Sequence, residues 1–161
     1  MFRTLALILA SISFMIVIGG AVYEHLAVVP VWSAAVPASL TMFQGEYRLA
    51  AESFWIPIHP IAISLLAISL FINWRTARRN YILVTLTGYA LVLVTTFIYF
   101  VPELMSLTQS AYGPAVNDEL TRRAGLWEAL SLARLVFLIG LAAVLLFGLS
   151  KQEGTPRGEH V

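Results

Sequence analysis

Four long apolar segments dominate the pattern of hydrophobic and polar residues along the chain. They cover residues 5–22, 54–74, 81–101 and 126–149, and charged side chains are almost absent from them. Each is close to or above the roughly 18 to 20 residues that a helix needs to cross about 30 Å of hydrocarbon. Because none shows the two-residue alternation of a half-buried strand, the pattern favours helices.

The predicted architecture is therefore all-α. It is an integral membrane four-helix bundle that forms a single membrane domain over residues 1–161. The spans are predicted at about 4–24, 57–74, 81–101 and 126–149, separated by outer loops at about 25–56 and 102–125 and followed by a tail at 150–161. Arg3 and the small residues at 19–21 would also suit a cleaved signal peptide. The first apolar run is longer than is typical for one, so we expect a retained span.

Composition agrees with this class, since 59% of the residues are hydrophobic and 12% are charged. The chain has no cysteine, which excludes disulfides, thiolate metal sites and iron–sulfur clusters. It has no basic stripe of the kind that binds nucleic acid. The expected partner is the lipid bilayer, with an apolar small molecule or a lipid as a further ligand. The sequence leaves the oligomeric state open.

Basic residues predict the orientation in the membrane. Four spans place both termini and the short loop near residues 75–80 on one side, and short loops rich in lysine and arginine stay cytoplasmic. We therefore expect both termini in the cytoplasm, most simply at a bacterial inner membrane. Six of the ten basic residues fall on that side: Arg3, Arg75, Arg78, Arg79, Lys151 and Arg157.

The first outer loop is rich in aromatic residues, which favour the membrane interface. We expect this loop to lie at the interface, over the outer mouth of the bundle. A short helix is predicted from about Ser39 to Gln44, with Ser39 as its N-cap.

Ionisable residues recur at the outer ends of the predicted spans. Tyr23, Glu24 and His25 end helix one, and His59 between two prolines is expected at or just before the N-cap of helix two. Successive helical residues point about 100° apart, so Glu24 and His25 cannot both face the bundle axis. We favour Glu24, which shares a face with Gly20.

Helices three and four each carry a polar face. In helix three the face consists of Thr85, Tyr89, Thr96, Tyr99 and Glu103. Pro102 is expected to kink or terminate this span.

Helix four is expected to begin near Asp118, after Asn117 as N-cap. It carries Trp127, Ser131 and Arg134 on one face. Because a charge within the membrane is expensive unless it is paired, Arg134 is expected to pair with Glu24 or Glu103.

The resulting constellation allows two kinds of chemistry. Two imidazoles and two carboxylates could bind a first-row transition metal such as zinc, iron or copper. The cofactor is otherwise unknown. The candidate metal ligands are His25, His59, Glu24 and Glu103; the candidate catalytic residues are Glu24, His59, Glu103 and Arg134; the candidate pocket residues are Tyr23, Tyr99, Trp127 and Ser131.

The helix-three proline and the motif Trp127-x3-Ser131-x2-Arg134 resemble a family. It comprises small four-span membrane proteins of unknown function grouped with the fungal anthrone oxygenases, here a bacterial subgroup, and the resemblance covers about residues 5–149. Ser131 stands where that family usually has asparagine, and Glu103 lies where an asparagine commonly follows the proline. The resemblance implies a four-helix membrane bundle and suggests oxygen chemistry on an aromatic or quinone-like substrate.

Two functions therefore stay open, and whether the protein is an enzyme is uncertain. The first is an oxygenase-like or oxidoreductase-like enzyme with an outward-facing polar pocket, acting on an apolar aromatic or quinone-like substrate. The second is a non-enzymatic membrane accessory or lipid-binding protein whose polar cluster is structural. Under the second interpretation Arg134→Leu should destabilise the bundle, and Glu24→Gln or Glu103→Gln should restore its stability.

Overall fold

A computed structural model describes residues 1–151, and these contain helices but no strand. Four helices are long and apolar enough to cross a membrane, which confirms the all-α four-helix bundle and identifies an integral multi-pass membrane protein. The predicted tail at 150–161 falls outside the described residues after Lys151. The helices are α1 (Phe2–Ser33), α2 (Glu52–Ile72), α3 (Arg79–Thr108) and α4 (Asp118–Leu149).

The four helices form a square in which α1 contacts α2 and α4, and α3 contacts the same two helices from the opposite corner. Large buried side chains fill the space between them. Phe14 on α1 meets Tyr89 on α3 edge to face, with ring centroids 5.1 Å apart. Leu66 and Leu145 are fully buried beside them. This packing brings side chains from all four helices to one axis.

The start of the chain and Lys151, the last described residue, meet at one end of the bundle, which we call the terminal end. The buried Arg78 side chain donates from Nη1 to Thr4 Oγ1 and from Nε to the carbonyl oxygen of Lys151, each over 2.9 Å. Asn73 Nδ2 donates to Arg3 O over 3.3 Å. The other end, with the connections at 34–51 and 109–117, is called the loop end.

Two helices contain a π turn, a wider turn with an i→i−5 hydrogen bond. In α1 it covers Glu24–Val28, and in α3 it covers Thr96–Phe100. A proline follows each one, Pro30 and Pro102. Proline lacks an N–H and its ring clashes with the carbonyl four residues earlier, and the widened turn relieves this conflict.

The π turns correct the predicted helix ends. Helix one was expected to end at about residue 24 and helix three at about 101. Instead, α1 continues to Ser33 and α3 to Thr108. The two outer loops are correspondingly shorter than predicted.

Helix α2 also begins earlier than predicted, at Glu52 rather than at residue 57. Pro57 and Pro60 both lie inside it. His59 is therefore an interior helical residue, and its predicted place at the N-cap was wrong. Proline is tolerated within membrane helices because neighbouring groups satisfy the freed backbone carbonyls.

Two smaller predictions at the loop end are confirmed. A short 3₁₀ helix covers Leu40–Phe43, although Ser39 does not cap it with its side chain and instead donates to Trp32 O over 2.6 Å. Helix α4 begins at Asp118, and Asn117 Oδ1 accepts a hydrogen bond from Leu120 N over 3.0 Å. Trp32 and Leu40 are buried, so the first connection packs against the bundle.

Candidate functional site

Glu24 opens the π turn of α1 and faces α2. Its Oε1 accepts a hydrogen bond from Trp55 Nε1 over 2.7 Å, and the side chain is half-buried. The Trp55 ring in turn stacks on the His59 imidazole, with centroids 5.3 Å apart and the planes 21° from parallel. The carboxylate therefore points into the protein. The sequence favoured this inward direction for Glu24 rather than for His25.

The next contact leads from α2 to α3. His59 Nδ1 lies 2.7 Å from the Tyr89 hydroxyl oxygen, within hydrogen-bond distance. Tyr89 is buried at the bundle axis and His59 is half-buried. Glu24, Trp55, His59 and Tyr89 thus form a continuous chain of contacts across three helices.

Arg134 on α4 is bound by neutral groups. Its Nη1 donates to Thr96 Oγ1 and its Nη2 to Ser131 Oγ, each over 2.9 Å. The guanidinium carbon lies 4.0 Å from the centroid of the Phe100 ring, which is a cation–π contact. Thr96 and Phe100 are the first and last residues of the α3 π turn, so that turn provides both contacts.

Arg134 makes no ion pair among the described residues, so the expected carboxylate partner is not in contact. Its charge is close enough to interact electrostatically with Glu24 and His59. We call these seven residues the polar cluster: Glu24, Trp55, His59, Tyr89, Thr96, Ser131 and Arg134.

Glu103 does not belong to this cluster. Its carboxylate forms a two-pronged ion pair with Arg123 on α4, in which Nε and Nη2 donate to the two oxygens over 2.8 Å each. Because α3 continues past Pro102 and α4 begins at Asp118, both residues stand together at the loop end. The proposed pairing of Glu103 with Arg134 was wrong.

His25 takes a different direction from Glu24. Its Nδ1 donates to the Ala21 carbonyl oxygen over 2.8 Å, one helical turn back. Its Nε2 is buried and has no hydrogen-bond partner within the described part of the chain. His25 therefore contributes no hydrogen bond to the polar cluster.

The four predicted metal ligands are not assembled. In the part of the chain that the structure describes, no three histidine, aspartate or glutamate side chains are grouped closely enough to bind a metal ion. His25 bonds its own helix and Glu103 pairs with Arg123. Glu24 and His59 each contact Trp55. The residues present do not fit a metal centre built from this set.

The predicted pocket residues have different environments. Tyr23 is 65% exposed. Tyr99 packs edge to face on Phe100, and the buried Trp127 donates from Nε1 to Phe100 O over 3.0 Å. Of the four, Ser131 is the one whose side chain forms a hydrogen bond with Arg134. Trp127 and Tyr99 thus support the ring on which Arg134 lies.

Four participants were missing from the candidate site residues: Trp55, Tyr89, Thr96 and Phe100. Tyr89 and Thr96 had been placed only on the polar face of helix three. Trp55 could have been found, since it precedes His59 by four residues and residues four apart share a helix face. Phe100 could not, because its position depends on the π turn.

The cluster places a carboxylate, an imidazole, a phenol and a guanidinium in a predominantly apolar bundle. The first three can exchange protons, and the guanidinium can donate hydrogen bonds to a carbonyl or anionic oxygen.

No family model, no curated protein and no solved structure matches the chain.

Proposed function

We propose that this membrane protein binds the polar ring of an apolar aromatic or quinone-like small molecule at the polar cluster. The proposal rests on the position of Arg134 within a membrane span and on the groups that surround it. A cationic side chain within a membrane span is expensive and marks a functional site by default. Here hydroxyl groups and an aromatic ring hold it, and no carboxylate of residues 1–151 forms an ion pair with it.

A guanidinium has five N–H donors, and Thr96 and Ser131 accept from two of them. The remaining donors suit a ring carbonyl or phenolate oxygen. Glu24 and His59 lie within electrostatic range of the same charge. Either Glu24 or His59, which is hydrogen-bonded to Tyr89, would exchange a proton with a ring hydroxyl. In this assignment the cluster binds the ring oxygen and exchanges its proton. The resemblance to the anthrone oxygenase group implies an oxygenase-like or oxidoreductase-like enzyme, and molecular oxygen would be the oxidant of the oxygenase-like reaction.

Orientation forms part of the proposal. Basic residues collect at the terminal end, so that end faces the cytoplasm under the positive-inside rule. The polar cluster then lies toward the outer face, at a bacterial inner membrane.

One observation favours the alternative of a structural cluster in a non-enzymatic protein. Glu24, His59 and Arg134 each have a hydrogen-bond partner inside the protein. Such a network could fix the helices without any ligand.

Binding of a short-chain alkyl benzoquinone to the purified full-length protein in detergent separates the two functions. Binding is measured by quenching of tryptophan fluorescence, to which Trp55 within the cluster contributes. We expect saturable binding that weakens at least tenfold in Arg134→Leu, because a hydrogen bond to a charged group contributes about 1.5–3 kcal/mol. Arg122→Leu is the matched control, since Arg122 pairs with Glu119 on the exposed start of α4.

Equal quenching of the wild type and Arg134→Leu, or quenching that does not saturate, would contradict the binding site and favour the structural alternative. Arg134→Lys keeps the charge and loses the planar fork, so intermediate affinity is expected.

A further inference from the structure

A groove opens at the terminal end, far from the polar cluster. It lies where α1 begins and α2 ends, and it has a volume of about 530 Å³. One part of its lining is apolar or aromatic and the other part is cationic. The lining residues are Arg3, Phe71, Ile72, Trp74 and Arg75.

Within residues 1–151, the charges at the terminal end are all positive. The basic residues described at the terminal end are Arg3, Arg75, Arg78, Arg79 and Lys151. The acidic residues in the described part of the chain all belong to the half toward the loop end: Glu24, Glu46, Glu52, Glu103, Asp118, Glu119 and Glu128. An anion near the groove therefore meets cations without competing carboxylates from the described chain.

The basic residues differ in what holds them. Arg78 is buried and joins Thr4 to Lys151, and the Arg79 guanidinium lies 5.5 Å from the centroid of the Trp74 ring. Arg3 and Arg75 are exposed, and among the described residues neither guanidinium makes a hydrogen bond or an ion pair. These two groups can therefore bind an anion without giving up a protein partner.

The apolar wall of the groove comes from the end of α2, a membrane-spanning helix, and from Trp74 just after it. Phe71 is 83% exposed on the last turn of α2, and Trp74 is 52% exposed just after it. Tryptophan favours the headgroup level of a membrane, and a ring such as Phe71 favours the hydrocarbon beneath it. The combination of an apolar wall and two arginines suits a lipid, which has both an acyl chain and a phosphate. Free phosphate has no apolar part that could contact the wall.

We propose that this groove binds one anionic phospholipid of the bilayer. Its phosphate lies between Arg3 and Arg75, and an acyl chain runs along Phe71 and Ile72. The site is independent of the polar cluster and of the function proposed for it.

Native mass spectrometry of the purified full-length protein tests the proposal with phosphatidylglycerol as the probe. Phosphatidylcholine with the same acyl chains and inorganic phosphate are the comparison ligands. Each basic residue near an anionic lipid surface contributes roughly fivefold in affinity. We therefore expect phosphatidylglycerol to bind about 25-fold more weakly to the Arg3→Gln/Arg75→Gln variant, with little binding of the other two ligands to the wild type.

The matched control is Arg48→Gln/Arg122→Gln, which removes two arginines from the loop end and should bind phosphatidylglycerol like the wild type. Circular dichroism checks that each variant is folded. If the first double variant does not fold, Arg75→Gln alone takes its place, with an expected loss of about fivefold. The proposal is overturned if folded groove variants retain wild-type affinity, if phosphatidylcholine binds equally well, or if inorganic phosphate binds as tightly as the lipid.

Discussion

Arg134→Leu removes a cationic side chain from the middle of α4, and the structure predicts that the fold tolerates this change. The substitution loses two hydrogen bonds, to Thr96 and Ser131, and the contact with the Phe100 ring. Hydrogen bonds between membrane helices contribute about 0.6 kcal/mol each on average. A desolvated cation–π contact adds about 1–2 kcal/mol. Losing these three contacts should therefore lower the free energy of unfolding by about 2–3 kcal/mol.

The same substitution also stabilises the fold, because it removes a charge from the membrane. Arg134 lies 16 residues before Ser150, which corresponds to about 24 Å along the helix axis. It is therefore inside a hydrocarbon layer of about 30 Å, toward its loop-end boundary. Insertion of arginine costs about 2.5–3.5 kcal/mol at the centre and less toward the boundary, so about 2 kcal/mol is a fair value here. We predict that the free energy of unfolding changes by less than about 1 kcal/mol.

Unfolding of the purified protein in mixed detergent and SDS, followed by circular dichroism, measures this change. A buried salt bridge would behave differently, because removing one partner costs about 3–5 kcal/mol. A loss of that size in Arg134→Leu, restored by Glu24→Gln, would refute the inference and reveal a direct ion pair. Restoration by Glu103→Gln is not expected, since Glu103 pairs with Arg123.

Three further predictions concern packing and capping, with the unfolding free energy as the measurement. Trp55→Phe removes the N–H donor of the carboxylate that opens the α1 π turn and should cost about 1–3 kcal/mol; an unchanged value would mean that the carboxylate finds another donor. Gly148→Ala places a Cβ 2.9 Å from Tyr81 Cβ and should cost about 1–3 kcal/mol. The control Gly140→Ala meets no atom within 4 Å and should be neutral or slightly stabilising. Equal effects of the two substitutions would contradict close α3–α4 packing. Asn117→Ala removes the N-cap of α4 and should cost about 1 kcal/mol, and a loss below about 0.3 kcal/mol would show that the cap is dispensable.

The spans could be predicted because crossing a bilayer requires long apolar runs, and these are visible in any sequence. The helix ends next to proline could not. Near Pro30 and Pro102 a π turn absorbs the missing N–H, and near Pro57 and Pro60 the helix simply continues. Proline normally ends or kinks a helix. In each case here the helix continues, because backbone groups in a membrane must stay hydrogen-bonded within a helix.

Side-chain directions were predictable where a helix is regular. Tyr89 and Thr96 face inward, as their spacing on α3 indicated. Beyond the π turn the spacing loses its meaning, because an inserted residue rotates every later position. The partner of Glu103 therefore could not be read from helical phase, and its Arg123 contact appears only in three dimensions.

The two helical hairpins, α1–α2 and α3–α4, carry the same features in the same order. The π turns Glu24–Val28 and Thr96–Phe100 begin 72 positions apart, and the same interval separates the corresponding prolines and tryptophans. Equivalent positions are Glu24 and Thr96, Pro30 and Pro102, Trp55 and Trp127, and His59 and Ser131.

This correspondence explains where the polar cluster lies. Each hairpin widens its first helix at the same level and places a tryptophan beside the widened turn. In the first hairpin the tryptophan donates to the Glu24 carboxylate, and in the second it donates to the Phe100 carbonyl. The first hairpin thus contributes an acid and an imidazole, while Thr96 and Ser131 at the equivalent positions contribute only hydroxyl groups, both of which bind Arg134. Glu24 and Arg134 consequently come from opposite hairpins and form no ion pair with each other. Under the proposed function, a polar ligand bound to both would complete the pairing.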